Sequence, residues 1–521
     1  MKDGKSAAKA MFYDYLTKTA YCCKKKTPKF AAMKIHAPLF PLAVCLIAGI
    51  AICDWLPDWT TGLVVLAVST LLTALLYRWP RCQTAGLWIC CLLLGMTLAS
   101  RHQQQLEVEW PQERITQEVV VIEEPVIKKR WIIVDVLTGT DHRKLRLYIH
   151  KDEDSQRITV GDGLLITTNI NKVRARKRYM QCHGFIGEGF VWQGYWHWKQ
   201  VSLKGLSAIE RMRLHFLCWR HQVLERYRIW GIEDDAYGVL TAMTLGEKTH
   251  IDQQTRETYR EVGASHILAL SGLHLMIIYS IISLLVNWRH IRLLSHVLII
   301  LSIWAFALFT GLSHSVVRAA MMITVYALLS LGYRNKMSVN TLAFVAVVML
   351  VINPLALCDL GFQLSFSAVL AIILINPLLY SLIPQHILME HRFLRWIWGL
   401  ATVSISAQIG TAPLVAYYFG YFSTVFLITN YIVIPLTGFI LYLTPLLLAV
   451  CWWPWGVTLM AGILSFLVRT MNQLLGWIAQ LPHSSINGIN LSTLQVFLLY
   501  IIIGSIYVAV SIKYREFRRN V

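Results

Sequence analysis

The sequence predicts a polytopic α-helical membrane protein of about 12 spans, with a small extracytoplasmic β-barrel domain, OB-like, inserted after the third span. Three observations carry that reading. Of the 521 residues, 56% are hydrophobic and the mean hydropathy is +0.52, a composition no soluble globular domain has. Apolar runs of about 17 to 25 residues recur along the chain, each long enough for a hydrocarbon core of roughly 30 Å. One stretch, 101–205, departs from that pattern in short alternating segments rich in β-branched and charged residues.

Residues 1–36 are polar and Lys-rich, with Lys24, Lys25 and Lys26 in a row, and read as a cytoplasmic basic tail. Met33, just before the first apolar run, is a second candidate start. Residues 37–100 hold three spans, separated by Arg78 and Arg81, which the positive-inside rule places in the cytoplasm. The chain then leaves the third span outside. In 101–205, EVVVIEEPVIKKRWIIVDVL, RKLRLYIHK, DGLLITTNI and GFIGEGFVWQ read as strands broken by Gly, Asp and Asn turns. Arg174, Arg176, Lys177, Arg178 and Tyr179, with Trp192, Trp196 and Trp198, are residues of the basic and aromatic kind that binds single-stranded nucleic acid, and equally of the kind that rests on lipid headgroups.

Residues 206–262 read as amphipathic interfacial helices, because Arg211, Arg213, Arg220, Arg226 and Arg228 alternate with Leu, Phe and Trp. LTAMTLGEKTHID within them only superficially resembles a phosphate loop, since Glu247 separates Gly246 from Lys248. No nucleotide site is read in the chain. Residues 263–512 carry nine further apolar runs, and 513–521 form a basic tail. With the β domain outside, the connections expected in the cytoplasm are WRHIR, YRNK and HRFLR, all basic, whereas those expected outside contain no Lys or Arg. Both termini then fall in the cytoplasm. Pro435 and Pro445 could break the run 421–450 into re-entrant pieces.

Net charge is +19, which in a membrane protein points first to cytoplasmic loops held by anionic lipid and second to a polyanionic substrate. The 11 Cys show no zinc spacing and most lie in apolar runs, and the 17 His form no HxHxDH cluster, so neither a metal site nor a disulfide framework is indicated and no cofactor is expected.

Polar groups stand inside the apolar runs, where each is costly unless it meets a partner or a wet cavity. On one continuous helix, His266, Ser271 and His274 would share an arc of less than half the circumference, with Gly272 beside them. His314 and Arg318 are four apart at the start of a span, and Asp359 and Gln363 repeat that spacing, with Ser365 and Ser367 one turn on. Gln408, Thr411, Pro413, Asn430 and Arg469 interrupt later spans. An Arg and an Asp at similar depth could simply neutralise each other; together the groups suggest a polar path through the bundle.

SHILALSGLHLMII, GLSHSVVRAAMM, DLGFQLSFSAVLAI and SISAQIGTAPLVAYYFGYFSTVFLITNYIVIPL stand in the order and rough spacing of the competence domain of ComEC proteins, and with the preceding β domain the chain resembles that family over residues 37–512. The resemblance implies a bacterial inner-membrane channel that brings transforming DNA into the cytoplasm as a single strand, with 263–512 as its transmembrane channel domain. It implies His266, Ser271, Gly272, His274, Arg318, Asp359, Gln363, Ser365, Pro413 and Asn430 as path-lining or path-shaping positions. Many members continue into a metallo-β-lactamase-like domain; this sequence carries no such metal motif, so neither zinc nor nuclease activity is expected of it. The implied partners are single-stranded DNA, a cytoplasmic ATPase or helicase, single-strand-binding proteins, a separate nuclease where the DNA arrives double-stranded, and anionic lipid. Two other readings stay open: an intramembrane enzyme using Ser271, His266 or His274 on a lipid or lipid-linked substrate, and a small-molecule exporter.

Overall fold

The computed structural model describes residues 37–139, 141–173, 178–201, 207–286, 292–331 and 338–520. The amino-terminal tail, Arg174, Arg176, Lys177, and the connections WRHIR and YRNK, save Arg292, therefore lie outside the described residues.

The first three helices are α1 (Leu39–Ala51), α2 (Trp59–Leu75) and α3 (Pro80–Leu106). Asp58 caps α2 by accepting the Thr61 N–H at 3.1 Å, and Pro80 opens α3 at the one position where its missing N–H costs nothing. Helices α1 and α3 touch backbone to backbone: a Cβ on Gly49 would collide with the carbonyl of Leu92, and one on Gly95 with that of Leu46. Small residues permit that approach, which supplies dispersion contacts where lipid removes the hydrophobic drive between helices.

The β domain follows. Its strands are β1 (Ile115–Val121), β2 (Val126–Ile127), β3 (Trp131–Thr138), β4 (Lys144–His150), β5 (Gly163–Thr168), β6 (Ile170–Lys172), β7 (Phe185–Val191) and β8 (Trp196–Trp198), with the short helix α4 (Arg178–Cys182) before β7. They form one mixed sheet in the order β6-β7-β4-β3-β1-β5-β8, with β2 on β3. Among the described strands, only β4 and β7 pair in parallel. The order has two ends, yet β5 and β6 are consecutive across Asn169, one pairing β1 and the other β7. The Thr168 hydroxyl donates to the Phe190 carbonyl at 2.7 Å across that bend. Period-two alternation turns Val119, Val121, Ile132, Val134, Leu145, Leu147, Ile149, Leu164 and Ile166 into one buried core.

Three helices link this domain to the bundle: α5 (Ala208–Ile229), α6 (Asp234–Leu245) and α7 (Gln253–Glu261). Helix α5 starts in a capping box of Ser207 and Glu210 and buries Leu214, Leu217, Leu224 and Tyr227, leaving Ile209, Met212 and Trp219 exposed. Helix α6 departs from the expected amphipathic pattern, since every residue from Ala236 to Leu245 is buried. The reason is compositional: AYGVLTAMTL carries no charge and has no polar face to offer solvent. Arg220 of α5, itself buried, pairs with buried Glu247 at 3.2 Å, and Glu247 also accepts from the Thr249 N–H and hydroxyl. The segment that resembled a phosphate loop is thus closed by its own carboxylate.

The remaining elements are α8 (Gly272–Val286), α9 (Arg292–Phe309), α10 (His314–Leu331), α11 (Val339–Ile352), a 3-10 turn (Pro354–Cys358), α12 (Leu360–Tyr380), α13 (Gln385–Glu390), α14 (Arg392–Phe419), β9 (Tyr421–Ser423), α15 (Phe426–Ala449), α16 (Pro454–Ala479), β10 (Ser485–Asn487) and α17 (Thr493–Asn520). Among the described residues, seven helices are long and apolar enough to cross a membrane, namely α2 with its terminal turn, α3, α12, α14, α15, α16 and α17; α1 and α8 to α11 are shorter apolar helices. The chain is a membrane protein. Pro435 and Pro445 do not break the run that holds them, since α15 is continuous through both. Its first residues instead form β9, which pairs with β10.

Candidate nucleic-acid interface and intramembrane polar site

Alternation along β3, β4 and β7 also decides what the β domain shows to solvent. Trp131 pairs with His150 and Ile133 with Tyr148 across the β3–β4 ladder, and Tyr148 stands opposite Phe190 on β7. The result is a continuous aromatic surface. Tyr148 stacks on Phe190 with centroids 4.8 Å apart, His150 stacks on Trp192 at 5.8 Å, and Trp131 meets Trp192 edge-on at 5.3 Å. Phe190 is 47% exposed and Trp192 57%. Beside it, Lys128, Lys129, Arg130 and Lys151 surround Trp131 in an open basin of about 790 Å3. Solvent-facing rings with flanking cations are the two components of sequence-tolerant single-strand binding.

Of the expected nucleic-acid residues, Trp192 belongs to this surface. Arg178 opens α4, and Arg174, Arg176 and Lys177 lie outside the described residues. Trp196 is a core residue at 6% exposure and Trp198 is exposed on β8. Sequence reasoning missed Trp131, Tyr148, His150 and Phe190. Their signal was the outward half of each strand's alternation, but only the register brings three strands' outward rings together.

The far end of the domain meets the bundle. The Asn353 side-chain amide donates to the Cys182 carbonyl at 3.1 Å, and the rings of His183 and His314 touch with centroids 4.1 Å apart. Arg213 donates to the Gly311 carbonyl at 2.9 Å while pairing with Glu123 at 3.3 Å, so α5 holds both parts. On the domain side, Arg146 grips Asp135 through two bonds of 2.6 and 2.7 Å. Burial, and then the neighbouring Arg213, hold the Lys144 ammonium below the usual lysine range. Burial likewise lowers His183.

Immediately within the bundle, Asp359 caps α12 by accepting from the Gly361 and Phe362 N–H groups, and Arg318 of α10 reaches it at 2.9 Å. Both side chains are less than a tenth exposed. A Cβ on Gly361 would lie 2.7 Å from an Arg318 guanidinium nitrogen, so a side chain there would make the guanidinium shift. Gln363, one turn on, donates to the Leu357 carbonyl and accepts from the Tyr418 hydroxyl at 3.0 Å.

His266, Ser271 and His274 do not share a helix as the sequence suggested. Helix α7 ends before Gly263, whose φ of +78° is left-handed, and no helix resumes until Gly272. His266 is exposed in the intervening turns, its Nδ1 3.1 Å from the Gly263 carbonyl. Ser271 and His274 do meet, by capping. The Ser271 N–H donates to His274 Nδ1 at 3.2 Å and the Ser271 hydroxyl lies 2.8 Å from the same atom. Nδ1 is therefore the acceptor, and Nε2 carries the proton of the neutral ring. His274 is fully buried and Nε2 has no hydrogen-bond partner among the described residues. Gly272 is exposed, with only the Ala319 Cβ at 3.9 Å from where its own Cβ would stand. Through Ala319 this capped end abuts α10 one residue from Arg318.

The other expected positions stand apart. Ser365 is half-buried on α12, and Asn430 is half-buried on α15 with a buried amide oxygen that has no partner among the described residues. Pro413 lines an apolar cavity of about 480 Å3 between α14, α15 and α17, whose one polar wall residue is Gln408. Arg469 is exposed on α16. Of the polar positions, Ser271, His274, Arg318, Asp359 and Gln363 thus lie at the starts of α8, α10 and α12, while Asn430 and Arg469 lie elsewhere and Pro413 lines an apolar groove.

A membrane protein that joins an aromatic, basic β domain to polar helix ends in its bundle is the class these features define. The chain belongs to the competence protein family, whose model matches residues 243–513, more than half of the chain. It is 26% identical over 246 residues to ComE operon protein 3 of Bacillus subtilis (strain 168), an alignment covering 47% of this chain and 30% of that protein. An uncharacterized protein of Aquifex aeolicus (strain VF5) is 27% identical over 200 residues, covering 38% of this chain and 44% of the relative. The chain thus spans less than half the length of either relative. No solved structure matches it.

Proposed function

We propose that this protein is a bacterial plasma-membrane conduit for single-stranded DNA during competence, with about 12 spans, both termini cytoplasmic and the β domain outside. The observation that carries the proposal is the aromatic face of β3, β4 and β7 with its basic basin, on a domain whose other end contacts the polar starts of α10 and α12. In this reading the β domain is an OB-like barrel: β5 and β6 act as one bent strand, which would join β1 to β7 and close the ring with β4 and β7 parallel. Stacking and backbone charge would hold an incoming strand. Lys144 offers a cation near the junction, whereas Arg318 is neutralised by Asp359, so a strand would meet attraction weak enough to let it leave. Directional force would come from a cytoplasmic ATPase or helicase and single-strand-binding proteins. The polypeptide itself would be a passive path, and a separate nuclease would act where the DNA arrives double-stranded.

The test is uptake of labelled transforming DNA in a deletion strain complemented with the wild-type gene or with Gly272→Leu. Gly272 is exposed and a Cβ there would meet only the Ala319 Cβ at ordinary contact distance, so leucine should be accommodated and would narrow the polar mouth. Wild type restores entry, whereas the deletion and Gly272→Leu leave DNA outside. Entry that is independent of the gene in a transformable host would overturn the conduit.

The contact of Ser271 with His274 favours a second reading, an intramembrane hydrolase acting on a lipid-linked substrate. A nucleophile and base also need a third group to orient the base, and His274 Nε2 meets none among the described residues.

A further inference from the structure

The junction between the β domain and the bundle brings two thiols together that no step of the conduit uses. Cys182 is the last residue of α4, in the β domain, and is 2% exposed. Cys358 ends the 3-10 turn before α12 and is exposed. The two side chains hydrogen-bond each other. Their backbones are held in place independently, by the Asn353 amide on the Cys182 carbonyl at 3.1 Å and by the packing of α4 on the 3-10 turn. The exposed Cys358 sulfur is the one an external disulfide can reach, and Cys182 stands next to it.

We propose that Cys182 and Cys358 form a disulfide that fastens the β domain to the bundle. The proposal rests on the reading that the junction faces the extracytoplasmic side, where disulfides persist. The oxidant is a disulfide of an extracytoplasmic thiol–disulfide oxidoreductase, R–S–S–R. Cys358, reachable from solvent, attacks one of its sulfurs as thiolate, releasing R–SH and forming a mixed disulfide. Cys182 then gives up its proton and attacks the Cys358 sulfur, forming the Cys182–Cys358 bond and releasing the second R–SH. Two thiols of the chain are oxidised and one disulfide of the donor is reduced, so two electrons and two protons pass to the donor.

The surroundings set how the step runs. The Cys358 thiol, burial and the nearby Asp359 carboxylate all push the Cys182 thiol well above the usual range. Once formed, the bond stands one residue from Asp359, which caps α12 and pairs with Arg318. It therefore fastens the β domain to the same turn that orders the polar mouth. Cys53 packs in one cluster with Leu357 and is the competing thiol.

The test uses the full chain in its own membrane. Cells are quenched in acid, alkylated with N-ethylmaleimide and the protein mapped by mass spectrometry. The peptides of Cys182 and Cys358 are expected joined, and separate after dithiothreitol. In parallel, intact cells are treated with a membrane-impermeant maleimide, with and without an impermeant phosphine reductant. Cys358 is expected to label only after reduction, and in Cys182→Ser without it. Labelling of wild-type Cys358 from outside before reduction, or a Cys53–Cys358 crosslink, overturns the disulfide while leaving the orientation intact. Labelling only after permeabilisation overturns the orientation, and the proposal with it.

Discussion

Arg318 and Asp359 lie 41 residues apart in sequence and 2.9 Å apart in space, and neither side chain is a tenth exposed. Their pairing joins the start of α10 to the start of α12. Removing one partner leaves the other charge buried and alone, which costs about 3–5 kcal/mol. Arg318→Ala and Asp359→Ala should each lower the unfolding temperature of the detergent-solubilised protein, and the double substitution should cost clearly less than the sum. Additive losses would mean that the two charges are stabilised separately. Gly361→Ala should lower the unfolding temperature by less than Arg318→Ala, because the new methyl displaces the guanidinium without removing its charge.

The aromatic surface and the basic basin should separate in solution. Trp131→Ala or Trp192→Ala should weaken oligothymidylate binding to the nanodisc-reconstituted protein by about 1–3 kcal/mol, with little change in its salt dependence. Replacing Lys128, Lys129 and Arg130 by Gln should instead flatten the slope of log affinity against log salt by about 0.7 for each phosphate no longer neutralised. Fluorescence titration at several salt concentrations distinguishes the two. Equal effects of both sets on anionic vesicles without DNA would identify the surface as a lipid contact.

Between α5 and the β domain, His221 lies 3.0 Å from Glu124, and that hydrogen bond holds the imidazole above its ordinary value of 6.5 despite partial burial. A folded-state value above the unfolded one adds stability that is complete below the unfolded value and is lost as pH rises through the folded one. His183 works the other way. Burial lowers it, so stability falls as pH drops below its ordinary value of 6.5. Thermal unfolding across pH 5 to 8 should therefore weaken toward both ends. Glu124→Gln should remove the loss on the alkaline side alone, an effect absent if the pair carries no charge.

Ser271→Ala separates the conduit from the hydrolase. It removes one of the two bonds to His274 Nδ1 but keeps the backbone N–H, so α8 still starts at its cap. DNA entry should fall at most severalfold, whereas a hydrolase would lose its nucleophile and all turnover. The uptake assay, run beside release of label from a lipid extract, gives the answer.

Much of the architecture was legible because hydrocarbon permits so few solutions. Each apolar run expected to cross carries a helix, and the strands of 115–191 follow from period-two alternation in EVVVIEE, WIIVDVL, RLYIH and GLLITT. The spacing of Ser271 and His274 also pointed to a real contact, though for the wrong reason: the two meet by capping a helix that starts at Gly272. The left-handed Gly263 and the irregular turns before Ser271 read as continuous helix because the residues there are as apolar as those of a span.

What the sequence determined by itself was local or periodic: the helices, the strands, the polar residues within apolar runs, and the family those residues mark. What only the tertiary structure decided was long-range pairing. The parallel ladder of β4 on β7 sets Phe190 beside Tyr148, and the seating of the β domain on the bundle sets His183 on His314 and Cys182 on Cys358. Those contacts depend on register and docking. Both are settled by the summed packing and hydrogen bonding of whole elements, and no spacing within one segment records them.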